Sequence, residues 1–183
     1  MKKLILIGVI MISNTALFSQ NYITRTGKIV FNATSKKSPE KIEGINNEVA
    51  NILDIRTGKI IFQVLIKSFK FEKELMQEHF NENYMESDKF PKADFKGNII
   101  NFDEVNFSKD GVYNIKTAGK LTIHGITSDI TIPGTLTVKG NTITAKAQFS
   151  ILLKDYKIQV PDLVADKVNS NATITIESNL VTK

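Results

Sequence analysis

His79 and His124 are the only imidazoles in this 183-residue chain, and there is no cysteine. His124 stands in KLTIHGITSDITI, with Gly125 next to it and Ser128 and Asp129 close behind. Those residue types suit a nucleophilic triad. The Gly-x-Ser-x-Gly elbow is absent, however, and no segment marks an oxyanion hole. His79 lies in EHFNEN with Glu82 three residues on, so a helix would carry both on one face. A zinc helix of the His-Glu-x-x-His type needs a second histidine there, and none is present. Asp103 and Glu104 adjoin within an expected strand, where neighbours point to opposite faces and cannot share one substrate. Without cysteine, thiol nucleophiles, thiolate metal sites and redox motifs are all excluded. The expectation is a protein that is not an enzyme, with no catalytic residue, no metal and no cofactor.

The segments that position these residues are set by composition and alternation. MKKLILIGVIMISNTALFSQ reads as a secretory signal: two lysines, an apolar run from Leu4 to Ile12, then small and polar residues. That run is far short of the roughly 20 residues a membrane-spanning helix needs. The division expected is therefore a signal peptide over 1–20 and one domain over 21–183, periplasmic or secreted and not membrane-spanning once the signal is removed. Loss of Lys2 and Lys3 lowers the formal charge from +5 to +3. The remaining charges are scattered, and no basic stripe with stacking aromatics marks a nucleic-acid partner. A domain of this size can be stable on its core without disulfides.

Period two dominates after Gln20. In ITAKAQFSI, Ile143, Ala145, Ala147, Phe149 and Ile151 fall on one face, with polar residues between them. YNIKTAGKLTI and NATITIE repeat the pattern. Turn signals at Arg56-Thr57-Gly58, Asp110-Gly111, Pro133-Gly134 and Gly140-Asn141 divide such runs. About eight strands result, near 28–35, 47–55, 59–71, 95–103, 112–124, 129–138, 141–153 and 171–180. Short connections favour antiparallel neighbours, and wet outer faces favour a sheet closed on itself. The fold class predicted is all-β, an eight-stranded antiparallel barrel. Strands of about 13 residues make it long, at about 43 Å per strand before tilt. The near-copies RTGKIVF (from Arg25) and RTGKIIF (from Arg56) read as two turns that each launch a strand. FEKELMQEHFNENYMESDKFP breaks the rhythm with good helix formers, and Met76, Phe80 and Tyr84 recur at helical spacing. One short helix over about 72–82 is expected there.

Three segments together resemble a known family. GKLTIHGITSDITIPGTLTV is similar to the signature segment of the YceI-like, polyisoprenoid-binding family. KFPKADFKGNII is similar to its aromatic-proline stretch, and FSILLKDYKIQV to its strand that enters an Asp-aromatic turn. The likeness spans about 22–180 in the family's order. It implies an extended, lipocalin-like barrel whose tunnel binds a long isoprenoid or similar amphiphile without catalysis. On that reading the partner is an isoprenoid or lipid-like small molecule, with a homodimer left open. The inward apolar residues expected to line the tunnel are Phe31, Phe62, Val64, Ile66, Leu121, Ile123, Ala145, Ala147, Phe149 and Ile174. Small inward residues, Gly119, Ala145, Ala147 and Ala172, would leave room for a slender ligand. The alternative is a ligand-free stress-response or protein-interaction module. It would use the surface around 72–91 and expose an apolar patch at Met76, Phe80 and Tyr84.

Overall fold

The computed structural model describes residues 21–183, so the signal peptide expected over 1–20 lies outside the described residues. Alternation becomes strand in every segment where it was read. The strands are β1 (Asn21–Thr34), β2 (Glu43–Asp54), β3 (Lys59–Leu65), β4 (Lys70–Phe71), β5 (Lys92–Ile99), β6 (Gly111–Ile123), β7 (Ile126–Lys139), β8 (Thr142–Leu152) and β9 (Val168–Thr182). They hydrogen-bond in the order β1-β9-β8-β7-β6-β5-β3-β2, and β2 returns to β1. All pairs are antiparallel, so eight strands close a barrel; the two-residue β4 is an appendage on Gly44 and Ile45 of β2. This is the predicted fold class, with one short helix, α1 (Glu74–His79).

Four local departures have physical causes. The run expected over 59–71 breaks at a 3₁₀ turn, Ile66–Ser68. Leu65 is left exposed, while Ile66 and Phe69, three apart, both turn inward. Asn46 holds the break by donating its side-chain amide to the Leu65 carbonyl at 3.0 Å, and Ile66 N–H donates to the Pro91 carbonyl at 3.0 Å. Second, β5 stops at Ile99, and Asp103 and Glu104 sit on a 3₁₀ turn rather than in a strand. The Asn101 side chain takes over the ladder there, accepting from Lys116 N–H at 2.8 Å and donating to the Asn114 carbonyl at 3.0 Å. Third, α1 ends at His79 and continues as a π-helical turn, Phe80–Tyr84. Met85 N–H reaches back five residues to the Phe80 carbonyl at 2.9 Å. Finally, the first RTGK copy is not a turn: Gly27 lies inside β1 at a bulge, between Ser178 and Val49. The second copy is the β2–β3 turn, with Gly58 at φ +70°.

The barrel has two unlike ends. Three of the four longer connections cluster at one, 35–42, the segment 66–91 with α1, and 153–167, while 100–110 lies at the other. We refer to this end as the mouth. At the other end the interior is filled by Val49, Leu53, Ile60, Leu136, Ile143 and Leu180, none more than 2% exposed. The β6–β7 connection at the mouth is the two-residue turn His124–Gly125, with φ +49° and +73°. Positive φ at both central residues is the type I′ geometry that matches strand twist. Gly119 has a structural reason distinct from the one expected. A Cβ there would stand 2.3 Å from the Lys96 carbonyl oxygen and 2.5 Å from the Gly97 Cα. The glycine lets β5 and β6 close together.

Candidate ligand site

Alternation turns one face of each strand inward, and toward the mouth those inward residues do not fill the space. They surround an inner cavity of about 110 Å³. Of the expected tunnel residues, Phe31, Phe62, Val64, Ile66, Leu121, Ile123, Ala147, Phe149 and Ile174 border it. Ala145 does not. It pairs with Leu136 and Ser178 in the filled half, where all three are buried. Ala172 and Gly119 do not border the cavity either, so of the four small residues only Ala147 contributes room.

Sequence reading missed Phe69, Phe80, Met85 and Ile158, which also face this cavity. Phe69 was hidden by the 3₁₀ turn that reverses the phase of its segment. Met85 and Ile158 lie in connections, where no period marks an inward side. The walls are almost wholly apolar. Thr117, the hydroxyl among them, donates to the Ile132 carbonyl at 3.1 Å and is satisfied.

A second, larger cavity of about 470 Å³ lies outside the first, under the mouth connections. Phe31, Phe80, Met85 and Ile158 border both cavities and form the partition between them. Phe80 is its centre, with ring centroids 5.5 Å from Phe31, 5.5 Å from Phe69 and 4.8 Å from Phe71. Met76 and Tyr84 line the outer cavity and Phe80 is buried, so the stripe at helical spacing faces inward. Met76 and Tyr84 are half-buried and Leu75 beside them is 61% exposed, so an interaction surface at 72–91 loses Phe80 but keeps part of its apolar patch.

The outer cavity carries the polar groups. Glu40, Lys73, His79 and Lys167 stand among apolar walls. Glu40 and Lys73 form an ion pair, and the Lys73 ammonium holds the Glu40 carboxyl below its ordinary range. With that pair balanced, Lys167 leaves the lining with an excess positive charge.

No triad forms at His124. Its Nδ1 is 3.0 Å from the Tyr156 carbonyl oxygen and its Nε2 is 3.0 Å from Glu86 Oε2. Asp129 instead accepts from Lys120 at 3.0 Å, and Ser128 shares a side-chain hydrogen bond with Tyr156. Burial pushes the Tyr156 phenol up, a shift opposed by that bond.

The molecule is an eight-stranded antiparallel barrel, filled at one end, with an apolar interior beneath a partly charged mouth. The model of the YceI-like domain matches residues 22–180, and the chain belongs to this family. Three solved structures share the fold. A polyisoprenoid binding domain from Saccharophagus degradans, implicated in plant cell wall breakdown, aligns at TM-score 0.76 and 9% identity, over 90% of this chain and 99% of that one. Burkholderia cenocepacia BcnA aligns at 0.68 and 18%, over 85% and 96%. The Campylobacter jejuni YCEI protein aligns at 0.55 and 16%, over 76% and 85%. Identities this low mark a common fold. No curated protein matches the chain.

Proposed function

We propose that the protein is an exported, non-enzymatic binding protein that holds a long hydrophobic ligand, an isoprenoid or another lipid-like amphiphile. The single observation that carries this reading is the pair of adjoining apolar cavities, partitioned only by side chains, beneath the mouth. The apolar chain occupies the inner cavity and passes the Phe80 partition. The polar end rests in the outer cavity, among Lys73, Lys167 and His79. Affinity comes from burying ligand surface, about 25 cal/mol per Å² before the cost of ordering. Support comes from family membership and from a structural neighbour described as a polyisoprenoid binding domain, both of which suggest binding rather than catalysis. The signal-like composition of residues 1–20 supports export to the periplasm or the medium.

Protein purified from its native compartment is expected to carry a hydrophobe that organic extraction releases and mass spectrometry identifies. Ala147→Phe, which fills the inner cavity, is expected to weaken binding of the neutral fluorophore N-phenyl-1-naphthylamine at least about tenfold, the factor that corresponds to 1.4 kcal/mol. Its far-ultraviolet circular dichroism should match the parent. Unchanged binding by a folded variant would remove the inner cavity from the ligand path.

A further inference from the structure

Among the described residues, three that are not glycine have positive φ: Glu86 at 40°, His124 at 49° and Lys157 at 56°. They come from three separate connections, and all three meet at one imidazole. Glu86 is bonded to Nε2, and Lys157 directly follows Tyr156, whose carbonyl is bonded to Nδ1. Residues remain in this region of backbone space only when the surrounding contacts hold them there. Phe90 stands edge-on to the ring at a centroid distance of 4.7 Å, and the His124 side chain is only 9% exposed. A Cβ on Gly125 would stand 2.5 Å from the Phe90 ring, so the hairpin tip, the loop and the imidazole are packed as a unit.

Both partners of the imidazole are acceptors, a carbonyl oxygen and a carboxylate. A neutral imidazole has one N–H and satisfies one of them, turning a lone pair toward the other. Only the imidazolium donates to both. The connections held in this way carry Met85 and Ile158, two of the four side chains that separate the inner and outer cavities.

We propose that His124 is a positioning residue for the ligand cavities: an imidazolium latch that binds the Met85 loop and the Ile158 turn to the β6–β7 hairpin, and loosens the shared partition when it loses a proton. The role in ligand retention rests on the function proposed above; the latch itself does not. The charged groups around it are few. Glu86, Asp88 and Lys89 lie on the loop, with Lys89 paired to Glu86 and Lys67 paired to Asp88 at 2.6 Å. Lys154, Asp155 and Lys157 lie on the turn, and Asp129 of β7 is occupied by Lys120 of β6. The Lys89 ammonium, with His124 second, holds the Glu86 carboxyl below its ordinary range, which keeps it an acceptor. The latch is therefore complete while the Glu86 carboxyl is ionised and the ring carries a proton on each nitrogen. It weakens as pH rises and the ring becomes neutral, and again as acid protonates Glu86.

The test compares the parent chain with Glu86→Gln and His124→Gln at about pH 5 and about pH 8.5, the two sides of the range in which histidine side chains change charge. Imidazole nitrogen NMR should show both ring nitrogens protonated at the lower pH. Protection of the 85–91 and 153–158 amides, taken against the intrinsic exchange rate at each pH, should fall about tenfold at the higher pH, and release of bound N-phenyl-1-naphthylamine should rise about tenfold, the scale of one charge-assisted hydrogen bond. In Glu86→Gln, whose substituted side chain is partly exposed, that step should flatten; in His124→Gln it should vanish. A neutral ring at the lower pH, or the same step in both variants, overturns the latch. Failure of the parent to bind the fluorophore at either pH would overturn the ligand reading, while the NMR and exchange results decide the latch independently.

Discussion

At the scale of single residues, the mouth holds backbone in conformations that side chains oppose. Lys157 shows this most simply. It caps a 3₁₀ turn at φ +56° and ψ +24°, its N–H bonded back to Leu153 and Lys154, and its side chain is exposed. The left-handed region costs an L-residue about 1–2 kcal/mol, part of which glycine returns as greater freedom when unfolded. Lys157→Gly is accordingly expected to stabilise the protein by about 0.5–1 kcal/mol. In a domain of this size that raises Tm by about 1–4 °C, measured by calorimetry. A lowered Tm would mean that the lysine side chain supports the turn more than its backbone strains it. His124 was legible as a hairpin tip because His-Gly separates two alternating runs. Its partners were not, since Glu86 and Tyr156 lie 38 and 32 residues away.

At the scale of elements, the π-helical turn after α1 decides what the helical stripe does. An α-helix that continued without interruption through Tyr84 would carry Met76, Phe80 and Tyr84 along one narrow face. The wider turn instead drives Phe80 into a cluster with Phe31, Phe69 and Phe71. Phe80→Ala is expected to join the two cavities. It should cost about 3–4 kcal/mol in urea denaturation, near the low end for a buried phenylalanine because one side already faces open space. Fluorophore release should accelerate in the same variant. A cost below about 1 kcal/mol would show that the ring cluster does not hold the turn in place. Sequence registered the helix and the aromatics, but the turn is fixed by backbone bonds, such as Ser87 N–H to the Asn81 carbonyl at 2.8 Å, that leave no periodic trace.

At the scale of the whole molecule, the barrel is half core and half container. Leu136 at 0% exposure and Ile174 beside the inner cavity belong to the same sheet but to different halves. Truncating Leu136 to Ala leaves a void among close-packed neighbours and should cost about 3–5 kcal/mol. Ile174→Ala enlarges space that already exists and should cost less, about 1–2 kcal/mol, by the same urea measurement. Equal losses would mean that both halves are packed alike and that the inner cavity is no reservoir.

Sequence alone determined the class of this protein. Alternation, punctuated by glycine turns, required long half-buried strands, and closure followed because the outer faces are wet. Eight of the ten inward residues chosen from that alternation border the cavity from strands, because side-chain direction in a strand is local and repeats every two residues, and Ile66 borders it from the 3₁₀ turn. What only the tertiary structure decided is where the interior is empty. Ala145 has the period of a lining residue, yet it lies toward the filled end, paired with buried Leu136 and Ser178, and does not border the cavity. The partition residues Met85 and Ile158 sit in connections without any period, brought inward by contacts across the mouth. A cavity is a difference between the volume the backbone encloses and the volume the side chains fill. Neither quantity is local, so no single stretch of sequence records it.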